Sequence, residues 1–319
     1  MTRVAAIDCG TNSIRLLVAD TVGTGAGAHL VPVERLMEIV RLGQDVDRTG
    51  RLADEALART FAATRRYAER VERLGAVRVR FVATSATRDA VNRDQFTTGV
   101  REILGVAPEV VSGAEEAELS FAGATGDLVA ARMPAPYLVV DIGGGSTELV
   151  RGGTGSDATR VLAGASIDVG SVRLTERHLH ADPPTSDQVE AARGDIHRAL
   201  HAAAERVPLA EAGTVVGLAG TVTTVAAMVA GLREYDSARI HLARLTADQV
   251  AVAAHRLLRM TMAERGGLAF LHPGRADVIA GGALLLTEIL AAIGAAELVA
   301  SEHDILDGIA LGMLADPRA

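Results

Sequence analysis

The run Tyr137-Leu-Val-Val-Asp-Ile-Gly-Gly-Gly-Ser-Thr-Glu148 carries an apolar strand into an acid, three glycines, a hydroxyl and a second acid. Glycine lacks the Cβ that keeps a backbone N–H away from an oxyanion and admits left-handed backbone, so such a turn suits a phosphate group. Gly143, Gly144, Gly145 and Ser146 are its candidate phosphate donors. Asp141 and Glu148 are hard oxygen ligands, suited to Mg2+ held directly or through its waters beside the phosphate charge. The start of the chain repeats the pattern in Val4-Ala-Ala-Ile-Asp-Cys-Gly-Thr-Asn-Ser13, and both copies read D-x-G-x-x-S. Here Gly10, Thr11, Asn12 and Ser13 are the candidate phosphate ligands, with Asp8 facing the ion's water shell. A third turn, Gly217-Leu-Ala-Gly220-Thr221, follows an apolar run and opens a helix whose N-terminus supplies further N–H donors, making Gly220 and Thr221 candidates.

Each D-x-G-x-x-S turn lies between two apolar runs of strand length, so each is expected to cap a β-hairpin projecting beyond a buried sheet. The two acids Asp8 and Asp141 are 133 positions apart (141 minus 8), about one domain length. Two sister domains facing each other direct both turns into one cleft. The pattern predicts further strands at 29–40, 77–83, 108–111, 159–169 and 214–218. Helices are expected at 52–74, 92–104, from Glu115 onward, 247–260, 275–293 and 305–314. This is α/β patterning, with a domain junction near 130–136.

The 319 residues are 49% hydrophobic, enough for two cores. The apolar start breaks at Asp8, and no run reaches the roughly 18 apolar residues of a membrane span, so a cytoplasmic protein without a membrane partner is expected. Cys9 is the single cysteine, which leaves it a small buried hydrophobe rather than a disulfide or thiolate centre. All 32 cations are arginine, which excludes a lysine phosphate loop and leaves guanidinium forks for phosphate. Residues 1–101 hold 16 cations and 12 acids, a net of +4, against −12 (16 minus 28) for the rest. Arg65, Arg66, Arg70 and Arg73 on a helix also fit a merely solvated basic face. With a net charge of −8 and 3% aromatics, a nucleic-acid partner is not expected.

The chain resembles the exopolyphosphatase/guanosine pentaphosphate phosphohydrolase (Ppx/GppA) family of the actin, Hsp70 and sugar-kinase superfamily, in its short two-domain form. The resemblance rests on the two hairpin motifs, Ala83-Thr-Ser-Ala-Thr-Arg88, Ser112-Gly-Ala-Glu-Glu116, Gly170-Ser-Val-Arg-Leu174, Leu218-Ala-Gly-Thr221, and Arg275-Ala-Asp-Val-Ile279 with Gly281-Gly282. It implies two ribonuclease-H-like, actin-like ATPase domains with a cleft between them: residues 1–128 and 129–319, with 303–319 packing back on the first. It implies a Mg2+-dependent phosphohydrolase that releases terminal phosphate from inorganic polyphosphate or pppGpp, and by analogy a homodimer. Glu116 becomes the general base and Arg88 the clamp on the phosphoryl oxygens. From residue types alone, Glu115 and Glu116 equally read as a charged first helical turn, and Arg88 as the partner of Asp89 or Asp94. A (p)ppGpp or polyphosphate sensor without turnover, and a kinase of the same fold, share the same turns. Where many relatives carry Arg-Glu-Gly, this chain has Leu306-Asp307-Gly308, so no binding role is carried over there.

Overall fold

The structure, a computed structural model, describes residues 2–23, 29–210 and 212–315, the side chain of residue 315 apart. It divides into two compact units, Met1–Gly123 with Ile305–Ala319, and Ala124–Asp304.

The first unit is built on five strands: β1 (Thr2–Cys9), β2 (Ser13–Val22), β3 (His29–Ile39), β4 (Arg78–Ala83) and β5 (Glu109–Val110). Their order is β3-β2-β1-β4-β5, with β1 antiparallel to β2, β2 antiparallel to β3, and β4 and β5 continuing parallel to β1. A strand buried on both faces alternates between two cores rather than between core and water. In β1, Ala5, Ile7 and Cys9 face one cluster with Leu57, Tyr67, Phe81 and Phe96. Val4 and Ala6 face the other, with Leu17, Val82, Ile305, Leu306, Ile309 and Met313. Cys9 is fully enclosed, and burial followed by the Asp8 charge pushes its thiol well above the usual range, as befits a small hydrophobe.

Helix Asp54–Leu74 connects β3 to β4 and buries Leu57, Thr60, Ala63, Thr64, Tyr67 and Val71, a stripe at three- and four-residue spacing. It ends where Gly75 turns left-handed at φ 70° and donates its N–H to the Val71 and Glu72 carbonyls. Helix Ile305–Ala315 belongs to this first unit. Gly308 passes so close to helix Gly113–Ala130 that a Cβ there would stand 1.9 Å from the Leu119 carbonyl oxygen. Asp307 is buried and bound by Arg35 Nη2 at 2.5 Å, a structural ion pair.

The second unit carries β6 (Tyr137–Ile142), β7 (Thr147–Gly152), β8 (Val161–Ile167), β9 (Thr214–Leu218), β10 (Arg244–Thr246) and β11 (Glu297–Ala300). The order is β10-β11-β9-β6-β7-β8. Read from β8, the first five strands repeat the first unit: two antiparallel steps to β6, then two parallel steps through β9 to β11. Each unit is therefore ribonuclease-H-like, the expected α/β class. The apolar helices Ala219–Val229 and Ile279–Ile293 fill the core of the second unit. Among the described residues no helix is long and apolar enough to cross a membrane.

Two features depart from the sequence reading. Residues Ser186–Ala204 form a 19-residue helix, started by a capping box between Thr185 and Gln188, where strands were expected to lead directly to 214–218. β10 and β11, three and four residues long, went unrecognised because so few residues show no period.

Candidate functional site

The two acidic hairpins have the same internal wiring. Gly10 N–H donates to the Ser13 carbonyl at 3.0 Å, and Gly143 N–H donates to the Ser146 carbonyl at 3.0 Å. The N–H groups of Gly10 and Gly143 therefore close their own turns. Neither glycine has left-handed φ. A Cβ on Gly143 would press to 3.0 Å on the Ser146 carbonyl oxygen, whereas one on Gly10 would meet nothing nearer than Thr84 Oγ1 at 3.8 Å. Neither packing nor backbone conformation requires glycine at position 10.

In the first unit, β1 pairs Asp8 opposite Arg15 of β2. Asp8 is 4% exposed, and its Oδ2 accepts from Arg15 Nε at 2.9 Å and Nη2 at 2.6 Å. A guanidinium on that oxygen offsets part of the carboxylate charge. Thr11 is buried, with its carbonyl holding Gly43 N–H at 2.8 Å. The Asn12 carbonyl accepts from the N–H groups of Val40 and Arg41, while Asn12 and Ser13 stay half-buried.

Arg88 sits in the short helix Ser85–Asp89 that follows β4. Its Nη1 donates to Glu116 Oε2 at 3.0 Å and to the Val111 carbonyl at 3.0 Å. This ion pair links the two residues that sequence assigned to chemistry. The Glu116 side chain is 10% exposed and that of Arg88 is 23%. Glu115, one position earlier, does something else. Its carboxylate accepts from the Ser112 N–H and hydroxyl, both at 2.8 Å, while its own N–H donates back to Ser112 Oγ at 3.3 Å. That capping box starts helix Gly113–Ala130, and the Ser112 N–H, then the Ser112 hydroxyl, hold the Glu115 carboxyl below its ordinary value. Adjacent carboxylates thus divide: Glu115 nucleates the helix and Glu116 faces the arginine.

In the second unit, β6 and β7 place Asp141 directly opposite Glu148. Both are buried, at 6% and 1% exposure. Like charges opposite each other in a ladder are unfavourable unless something positive offsets them. Two buried, facing oxygen donors fit a hard divalent cation such as Mg2+. Ser166 of β8, next in register, donates its hydroxyl to Glu148 Oε1 at 2.8 Å and orients that carboxylate. The glycine turn itself is braced by helix Ser171–His178: the Gly143 carbonyl accepts from Ser171 N–H, and the Gly144 carbonyl from the N–H groups of Val172 and Arg173. Gly170 makes room for this, since a Cβ there would stand 2.5 Å from the Gly144 oxygen.

The third turn runs from β9 into helix Ala219–Val229, with Ala219 held at φ 66°, a left-handed conformation that a non-glycine residue adopts only under constraint. Gly220 lies beneath a guanidinium: a Cβ there would be 2.3 Å from Arg275 Nη1. Thr221 is buried, and its Oγ1 would meet a Cβ on Gly282 at 2.4 Å. Sequence reasoning noted Arg275 only as part of a motif. A cation over the first turn of a helix opposes the positive end of the dipole, and an anion bound there favours both. His178 Nε2 lies 3.1 Å from Asp195 Oδ2 and His197 Nε2 2.8 Å from Glu288 Oε2, pairings within the second unit.

The duplicated sheet with paired acidic glycine turns defines a two-domain α/β protein of the actin-like ATPase class. The family model of the Ppx/GppA phosphatase family matches residues 18–316. The chain belongs to that family. Exopolyphosphatase 2 of Mycobacterium tuberculosis is 52% identical over 323 residues, covering 98% of this chain and 99% of that protein. The crystal structure of an exopolyphosphatase-like protein superposes with TM-score 0.93 at 47% identity, covering 98% and 97% of the two chains. The Aquifex aeolicus member of the Ppx/GppA family superposes with TM-score 0.80 at 28% identity, covering 100% and 99%.

Proposed function

We propose that this protein is an exopolyphosphatase, removing the terminal phosphate of inorganic polyphosphate by attack of water on the end phosphorus. The observation that carries the reading is the Arg88–Glu116 pair: a nearly buried carboxylate held at 3.0 Å by a guanidinium that itself fits phosphate oxygens. Glu116 takes the proton from the attacking water as the P–O bond to the penultimate phosphate breaks, leaving inorganic phosphate and a chain one unit shorter. Arg88 transfers its Nη1 hydrogen bond from Glu116 to the phosphoryl oxygens, so the carboxylate is released to act as base when substrate is seated. Substrate thereby assembles its own base.

Asp141 and Glu148 hold Mg2+, which when bound supplies the positive charge that the transferred phosphoryl group needs. Asp8 keeps Arg15 in place and with it the first hairpin turn. In the first unit Thr11, Asn12 and Ser13 are phosphate ligands, and in the second Gly144, Gly145 and Ser146 are. Gly10 and Gly143 shape those turns, and Gly220 and Thr221, under Arg275, take a more distant phosphate. Support for polyphosphate as substrate comes from the similarity to Exopolyphosphatase 2 over nearly the whole chain.

The test is phosphate release from polyphosphates of several lengths and from pppGpp, each with Mg2+ and with EDTA, beside a direct ppGpp titration. Mg2+-dependent release from polyphosphate is expected. Tight binding with no turnover of any of them would make the protein a sensor. ADP-linked phosphorylation of an acceptor would make it a kinase.

A further inference from the structure

Away from the phosphate turns, three side chains from separate segments of the second unit converge. Asp127 Oδ2 lies 2.5 Å from His303 Nδ1 and 3.2 Å from His241 Nε2, and the two imidazole centroids are 4.8 Å apart. One ligand atom from each of the three falls within 4.8 Å of the others. All three residues are half-buried, with side-chain exposures of 38%, 24% and 38% for Asp127, His241 and His303.

Each is placed by backbone. Asp127 is in the last turn of helix Gly113–Ala130. His241 ends helix Ser237–Ile240 and precedes Leu242, which is held at φ 61° while donating its N–H to the Ala300 carbonyl at 2.8 Å. Left-handed backbone at a leucine is sparsely populated and persists where the surroundings impose it, often at a binding site. His303 is set by a closed loop, with its N–H on Ser301 Oγ at 3.0 Å and the Ser301 hydroxyl on its carbonyl at 2.8 Å.

We propose that Asp127, His241 and His303 form a binding site for a divalent first-row transition metal of the Zn2+ type. Two borderline imidazoles beside one carboxylate favour such ions over Mg2+, and three protein ligands leave an open coordination position. Metal–ligand bonds of about 2.1 Å in tetrahedral geometry put ligand atoms about 3.4 Å apart, so the His241 contact is already at that spacing and the His303 contact has to open by about 0.9 Å. The Glu302 N–H donates to His241 Nδ1 at 3.3 Å, which puts that ring's proton on Nε2, facing Asp127. Metal on Nε2 moves the proton to Nδ1 and releases the Glu302 amide to water, so that amide reports loading. These residues differ from the carboxylates proposed for Mg2+.

The test uses untagged full-length protein, freed of metal by chelation and titrated with Co2+. A visible ligand-field band saturating at one Co2+ per chain and displaced by Zn2+ is expected. His241→Gln and His303→Gln should each weaken Co2+ binding by roughly 100-fold or more, since loss of a direct ligand exceeds the ten- to hundredfold effect of an outer partner. Asp141→Asn should leave the band unchanged. Zinc-edge X-ray absorption of the loaded wild type, which needs no variant to fold, should show imidazole scattering from two rings. An oxygen-only shell, absence of the band, or a band lost in Asp141→Asn but kept in the histidine variants would overturn the site.

Discussion

Arg88 Nη1 donates to Glu116 Oε2 at 3.0 Å across 28 positions of sequence, and the same nitrogen holds the Val111 carbonyl. The proposed base is therefore stored against the proposed clamp. Glu116→Gln retains an acceptor for Arg88 but cannot take a proton. Phosphate release should fall about 10²–10⁴-fold in kcat with little change in KM or melting temperature. Steady-state kinetics on polyphosphate decide it, and an unchanged kcat in a folded variant removes Glu116 from the role.

Gly10 and Gly170 separate ligand demands from packing demands. Gly10→Ala meets no atom closer than 3.8 Å, so the protein should melt normally while KM for polyphosphate rises. Gly170→Ala drives a Cβ to 2.5 Å from the Gly144 oxygen and should destabilise by about 1–3 kcal/mol or more, because backbone cannot step aside. Thermal melts with parallel kinetics distinguish the two.

Asp141 and Glu148, opposite each other in register, are the residues proposed to hold Mg2+. Mg2+ should raise the melting temperature of the wild type. Asp141→Asn should abolish most of that shift and most phosphate release. A Mg2+-induced shift of full size in this variant would place the ion elsewhere.

Glu115 supplies a pH signature. Its folded carboxyl lies below the ordinary 4.5 because Ser112 hydrogen-bonds the ionised form. A depressed carboxylate stabilises the fold above its unfolded value, and that contribution disappears as pH falls below 4.5. Glu115→Ala should cost about 0.5–2 kcal/mol at neutral pH, the usual value of a cap, with the gap from wild type closing in acid. A gap unchanged down to pH 3 would show that the charged cap contributes nothing.

Much of this architecture was legible. Both hairpins, β4 and the helix from Asp54 announce themselves through apolar period, and the two D-x-G-x-x-S turns stand out because acid, glycine and serine recur at one spacing. Partners were harder. Arg88 was set against its neighbours Asp89 and Asp94, while it pairs with Glu116 from another segment of the fold, and nothing in residue type announced the Arg15–Asp8 pair. Burial and hydrogen bonding of turn atoms, as at Gly10 and Gly143, leave no trace in residue type. Asp127, His241 and His303 lie on three segments spread over 176 positions (303 minus 127), a meeting that only tertiary structure reveals.

The helix Ile305–Ala315 completes one face of the first sheet, yet 181 residues of the other unit (304 minus 123) precede it on the chain. During translation, Val4, Ala6, Leu17 and Ala19 emerge early and stay without that cover until residues 305–313 have been made. The second unit, contiguous in sequence, is thus the one able to finish maturing first, inverting the usual N-to-C order on the ribosome.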